Sequence, residues 1–326
     1  MFGRFCAVML LMLAVTVDTP AAQAAPMLAP TTKIEVGTLP PIEVAKPVPP
    51  FNAEKAIAAY LGTVKGEAKA KSDAYFEGGY TLLFVDAIYA LAICVLLLWG
   101  RVSSWMRNRA MKTMFMVAGA FAMLLKSAPE GLRNRVVRFF MAPGWQVAVY
   151  GIQYLVLTAV LTFPLTVYEG FFREHAYGLS NQTFGQWFGD FGTGFIVTLI
   201  FATLGLVALY ALIRRAGRAW WAWATGLFMV FSVVGMMLGP VYIAPLFNTY
   251  TPLPDSVLKS EILAQAKANG IPVDNVYVVD ASKQSKRISA NVSGLFGTTR
   301  ISLNDNLLDQ TTPQETLAVL GHEMGH

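Results

Sequence analysis

The chain has 326 residues, 55% of them hydrophobic and only 14% charged, and carries a formal net charge of +5. Soluble domains carry about a quarter charged residues, so the composition excludes an ordinary soluble protein and points to the membrane. The basic balance does not call for nucleic acid, because the Lys and Arg surplus of a membrane protein sits in loops facing the cytoplasm and anionic lipid.

The N-terminus has a charged start at Arg4, an apolar core over 5–17 and a small-residue exit at Ala22-Gln23-Ala24. This is the pattern of a secretory signal peptide over 1–24, with an uncleaved anchor helix as the alternative. Cys6 and Cys94 both lie in apolar runs, so no disulfide is expected. Residues 26–50 hold seven prolines and read as an extended tether. Helix formers with alternating charges over 51–76 then predict a solvated helix, so that 25–79 forms a tether and helix outside the bilayer.

Four segments, 80–99, 145–168, 193–213 and 220–242, reach the roughly 20 helical residues that a hydrocarbon core of about 30 Å demands. Trp99, Trp145, Trp220 and Trp221 mark their ends, as interfacial aromatic residues do. A fifth run, 113–125, is short and reads as a tilted span or an interfacial helix. The transmembrane region is therefore 80–243 with four or five spans. Counting basic loops favours four, which would leave the C-terminal region outside. Asp86, inside the first span, is a functional candidate or a structural pair.

After 243 the composition turns mixed, and a small α/β unit begins. Asn275-Val276-Tyr277-Val278-Val279-Asp280 and Arg300-Ile301-Ser302-Leu303-Asn304-Asp305 read as two short strands. Between them and the spans, Val257, Leu258, Ile262, Leu263 and Ala266 have helical spacing, closed by Gly270 and Pro272.

The chemistry stands at the end, in His322-Glu323-Met324-Gly325-His326. In this H-E-x-x-H pattern two imidazoles lie one helical turn apart, about 6 Å in rise, and can clasp one zinc ion. Glu323 falls beside the metal, where it can take a proton from water that the metal has acidified and later deliver it to the leaving amine. The pattern needs a helix, and Thr312, Pro313 and Glu315 supply a capped start, with Leu317, Leu320 and Met324 facing the core. His175, in a polar stretch between spans, reads as a solvated residue and not as a ligand.

Three blocks together resemble the type I CAAX prenyl protease family of integral-membrane zinc metallopeptidases. The first is Pro164 and Tyr168 followed by Arg173-Glu174-His175 and the run from Tyr177-Gly178-Leu179-Ser180-Asn181-Gln182 to Thr183. The second is Pro245-Leu246-Phe247-Asn248 through Pro252-Leu253. The third holds Val278-Val279-Asp280, Ser282-Lys283, Ser285, Asn291, Arg300-Ile301 and Asn304 ahead of the metal motif.

The resemblance implies a mainly α fold: a transmembrane helical bundle enclosing a chamber, with a small membrane-adjacent α/β metallopeptidase domain over 244–326, incomplete at its C-terminus. It implies Zn2+ held by His322 and His326, Glu323 as general base, and an edge strand that pairs with the substrate backbone. Asn291 then contacts substrate, or is a turn asparagine. Where the family has an Asn-Ala-Tyr type sequence, this chain has Asn291-Val292-Ser293-Gly294. The family's cytoplasmic catalytic domain also implies five spans.

The family takes its third zinc ligand from a later glutamate, so the chain reads as stopping short. Two ligands are too few for a catalytic site, and the polypeptide as it stands is expected to bind zinc weakly and cleave little. The expected activity is hydrolysis of membrane-associated or lipid-modified (CAAX-type) proteins in a bacterial inner membrane, with quality control of membrane proteins as its duty. Two alternatives stay open: a metzincin-like third histidine downstream, and a membrane scaffold or transporter with a dead metal motif.

Overall fold

The computed structural model describes residues 52–63, 65–294 and 297–325. The expected signal peptide, the proline-rich tether and His326 lie outside them. The chain divides into two units, 19–87 and a larger one that includes 88–326.

In the first unit, helix α1 is Ala53–Leu61, and α2, Gly66–Trp99, begins there and continues into the larger unit. The single solvated helix expected over 51–76 is therefore two helices, and the second is continuous with the first span. The break follows the backbone and not the hydropathy. Gly62 and the left-handed Gly66 (φ +63°) interrupt the helix, whereas nothing between Gly66 and Trp99 obliges it to stop.

The larger unit continues with α3 (Val102–Leu124), α4 (Glu130–Phe140), α5 (Pro143–Val167), α6 (Phe184–Arg215) and α7 (Trp220–Leu238). Helices α2, α6 and α7 and the α4–α5 stretch contain windows long and apolar enough to cross a membrane. The short run 113–125 is the second half of α3, whose 23 residues rise about 35 Å. Its buried positions Met106, Ala110, Met114 and Ala118 recur every four residues, so one stripe of α3 packs on the bundle.

Small residues set the helix contacts. A Cβ at Gly151 of α5 would fall 2.9 Å from Leu206 Cδ1 of α6, and one at Gly170 would fall 3.0 Å from Trp187 Nε1. Polar side chains reinforce the packing: Tyr89 donates to the Leu161 carbonyl at 2.8 Å, and Ser103 and Tyr150 share a hydrogen bond of 2.8 Å.

Both α5 and α7 end in π-helical turns, Tyr168–Arg173 and Gly239–Ile243. A last helical turn, Glu174–Ala176, carries the first of these up to the α/β unit. The polar stretch expected around His175 is thus helical as far as Ala176.

The α/β unit contains β1 (Tyr250–Pro252), α8 (Val257–Ala268), β2 (Val276–Val279), β3 (Ala290–Ser293), β4 (Arg300–Asn304), α9 (Asp305–Gln310) and α10 (Pro313–Gly325). Its sheet runs β1-β2-β4-β3, with β2 and β4 parallel and both outer strands antiparallel. Alternation sends Val276, Ile301 and Leu303 to one face, where Ile262 and Ala266 of α8, Leu307 of α9 and Leu320 of α10 close a core. The expected strands and the helix before them are all present. Ser256 caps α8, accepting from Lys259 N at 3.2 Å, and Gly270 leaves it in the left-handed region (φ +72°).

Candidate active site

Helix α10 is built as its sequence dictates. Thr312 Oγ1 accepts from Glu315 N at 3.3 Å, and the Glu315 carboxylate accepts from Thr312 N at 2.8 Å and from its hydroxyl at 2.9 Å. Those bonds hold the Glu315 carboxyl below its ordinary range, the backbone bond contributing most. Leu320 is fully buried, and Leu317 and Met324 pack against the same core.

The anchored face turns His322 outward, exposed, with Glu323 half-buried beside it. Gln265 of α8 secures the turn before the histidine, its amide donating to the Leu317 carbonyl at 3.3 Å. Gly321 makes room for it, since a Cβ there would lie 2.7 Å from Gln265 Nε2.

A neutral imidazole next to a carboxylate is the right donor chemistry for zinc with a general base. Among the described residues no three His, Cys, Asp or Glu side chains gather into a metal-holding group. Of the expected ligands, His322 is described and His326 is not.

Asn291 is exposed on β3, opposite Ser302 of β4. Among the described residues, β3 has no strand on its outer side, and α10 packs against it. A free edge beside the metal helix is the arrangement that accepts an extended peptide as an added strand. Asn304 fixes the approach to that edge, donating to the Arg287 carbonyl at 2.7 Å and accepting from Ser289 N and Leu307 N at 3.0 Å each.

The three sequence blocks converge on one seam between the bundle and the α/β unit. Asn181 N donates to the Gln284 carbonyl at 3.0 Å, Lys286 N to the Leu179 carbonyl at 3.1 Å, and Ser285 Oγ to Leu179 at 3.1 Å. Gln284 and Gln182 both donate to Asp190, at 2.8 and 2.6 Å. Glu174 accepts two bonds from Arg287 Nη2, at 3.0 and 2.8 Å.

On the other flank, Asp280 accepts from Thr249 N at 2.7 Å and from Asn248 at 3.3 Å, and pairs with Lys283 at 3.3 Å. Burial pushes its carboxyl up, but the Thr249, Lys283 and Asn248 contacts outweigh burial and hold it below the usual range. His175 is more than a solvated side chain. Its Nδ1 lies 2.7 Å from the Phe171 carbonyl and its Nε2 2.8 Å from the Gln182 carbonyl, so it pins the seam loop. Sequence reading missed Arg287 and Asp190, which no local pattern marks.

Two family models match end to end: "CAAX prenyl protease N-terminal, five membrane helices" over residues 52–249, and "Peptidase family M48" over 252–326. The chain belongs to the M48 family of CAAX prenyl protease type. A metalloprotease of Bacillus subtilis, YhfN, is 35% identical over 170 residues, 52% of this chain and 40% of that protein. The CAAX prenyl protease 1 homolog of Oryza sativa is 25% identical across 82% of this chain and 58% of its own. The crystal structure of S. mikatae Ste24p superposes with a TM-score of 0.63 at 25% identity, covering 80% of this chain and 56% of that one. The chain thus spans about half the length of these M48 relatives. As a family member it is a multi-pass membrane protein, mainly helical, with a small sheet before the metal motif.

Proposed function

We propose that the protein containing this chain is a zinc metalloendopeptidase that cuts membrane-associated or lipid-modified proteins. One observation carries the proposal: an outward His322 and a half-buried Glu323 on a capped, core-anchored helix packed against a free sheet edge. Membership of the M48 family favours this over a scaffold with an unused motif, and the names of the plant and yeast relatives suggest the substrate class.

His322 and His326 would hold the ion through neutral imidazole nitrogens. Zinc, when bound, acidifies water and polarises the scissile carbonyl. The chain's own residues do the rest. The free edge of β3 takes the substrate backbone as an added strand, which sets the register of the bond to be cut. Asn291, exposed on that edge, offers one amide donor and one acceptor to the peptide. Glu323 removes the proton of the attacking water and returns it to the amine as the carbon–nitrogen bond breaks.

Five spans agree with the description of the N-terminal family model, and α3 has the length to supply the fifth. We place the α/β unit over 244–326 on the cytoplasmic side, after a signal peptide over 1–24, in a bacterial inner (plasma) membrane; the Bacillus relative is in keeping with a bacterial source. Quality control of membrane proteins is the proposed duty.

The test is cleavage by the full-length protein of a lipidated peptide and of an unmodified membrane-anchored peptide, with Glu323→Gln as control. Loss of about 100-fold or more in kcat, with zinc content and thermal midpoint unchanged, is expected. Full activity in Glu323→Gln would overturn the reading.

A further inference from the structure

Helix α4 does not fit the bundle as a span. Its sequence, Glu130-Gly131-Leu132-Arg133-Asn134-Arg135-Val136-Val137-Arg138-Phe139-Phe140, turns Leu132, Val136, Val137, Phe139 and Phe140 to one side, with the half-buried Arg133 among them, and Glu130, Asn134, Arg135 and Arg138 to the other. Only part of the apolar side is used inside the protein. Phe140 stacks on Phe121 of α3 with ring centroids 4.5 Å apart, and Val136 and Val137 are half-buried. Leu132 and Phe139 remain 49% and 57% exposed.

Met141 and Ala142 alone separate α4 from Pro143, where α5 begins, and Phe139 packs edge-on against Trp145 of α5. The helix therefore sits within one turn of the mouth of a span, at the depth where aromatic side chains gather. The last residues of α3, Met123 and Leu124, are exposed beside it.

The charge is one-sided. Lys126, Arg133, Arg135 and Arg138 accompany a single carboxylate, Glu130, between 126 and 141. Among the described residues none of the three arginines belongs to a salt bridge, and Arg138 Nε only reaches the Asn134 carbonyl of its own helix at 3.3 Å. Cations left without acidic partners, next to an apolar strip left uncovered, fit a surface of phosphate headgroups over acyl chains.

We propose that α4 is an interfacial helix that docks on anionic phospholipid, burying Leu132 and Phe139 at the acyl boundary and setting Arg135 and Arg138 among the phosphates. Through the Phe121–Phe140 stack it holds the end of α3, the least hydrophobic of the long bundle helices, at the membrane surface.

The test uses the full chain in lipid nanodiscs of phosphatidylcholine with increasing phosphatidylglycerol, read by thermal midpoint and by lipid retention in native mass spectrometry. Phosphatidylglycerol is expected to raise the midpoint and to be retained, and the gain should shrink at 1 M salt. The variant Arg135→Gln/Arg138→Gln should lower apparent phosphatidylglycerol affinity by about 10-fold or more. Arg135→Lys/Arg138→Lys should keep it, which separates lost charge from lost folding. Three outcomes would each overturn the proposal: equal responses to the two lipids, a glutamine variant that retains phosphatidylglycerol like the parent, or the same gain from soluble glycerol phosphate.

Discussion

The membrane helices and the α/β unit obey opposite packing rules. In the α/β unit the large apolar side chains point inward, and Ile262, Ile301, Leu303, Leu307 and Leu320 are all fully buried. In the helices they point outward: Phe84, Ile88, Phe228 and Met229 are all largely exposed, and no residue of α7's apolar window is buried. The difference is one of solvent. In the bilayer, lipid tails are as apolar as leucine, so burying apolar side chains inside the bundle gains little. Contacts there rely on small residues such as Gly151 and Ala110 and on a few hydrogen bonds. In water the same side chains must be covered, and a sheet with three helices closing its core is built for that.

The sharpest way to break this contrast is to cut one large apolar side chain in each region. Leu320→Ala removes a fully buried side chain from the core under α10 and should cost about 2–5 kcal/mol. Phe228→Ala on the lipid-facing side of α7 should change stability in nanodiscs by less than about 1 kcal/mol. Denaturant or thermal unfolding in the same lipid checks both. Equal losses would mean that α7 packs against protein and that its outward face is not a lipid face.

The seam between the regions comes next in size. Glu174 and Arg287 are 19% and 24% exposed and joined by two bonds across 113 residues of chain. Removing either partner takes both of these charge-assisted bonds from the other in a partly dry site. Arg287→Met and Glu174→Gln should each destabilise the protein, and the double variant by less than their sum, with a coupling of about 1–3 kcal/mol. Because Arg287 stands at the approach to β3, both single variants should also raise KM for an extended peptide more than they lower kcat. Strict additivity in the cycle would reduce the pair to a surface contact.

What the sequence reveals follows the same division between local and distant. The cap of α10 is legible because Thr312 and Glu315 are three residues apart and their chemistry is local. The spans at α2, α5, α6 and α7 are legible because lipid demands long apolar runs. The second half of α3 is visible as a short apolar run. Its first half is masked by Arg107, Arg109 and Lys112, which a helix tolerates and a hydropathy window does not. Strand β1 leaves almost no trace, being three residues that end in Pro252, a residue that cannot donate to a sheet and so survives only on an edge. The partners at the seam are invisible for a different reason: an ion pair between 174 and 287 has no period, cap or spacing to betray it. The three sequence blocks gave a hint, since Glu174, Asn248, Asp280 and Ser285 stand in them and all meet at the seam.

The smallest expected effect is acid sensitivity on the Asp280 flank. Its carboxyl is held below the ordinary range despite burial, by Thr249 N–H, Lys283 and Asn248. The folded pKa is thus lower than the unfolded value of about 3.9. Stability from these contacts is complete above that value and is lost as pH falls through the folded pKa, so the window lies below about pH 4. The Asp280 side chain is 39% exposed, and solvent screening keeps the contribution small. Glu315 titrates in the same direction at the start of α10, so the readout must be local. Amide exchange at Thr249 should quicken between pH 5 and pH 3 beyond its intrinsic pH dependence. Asp280→Asn should show faster exchange at pH 5 and no further acid step. If that variant and the parent follow the same acid profile at Thr249, the carboxylate does not hold β1 to the rest of the sheet.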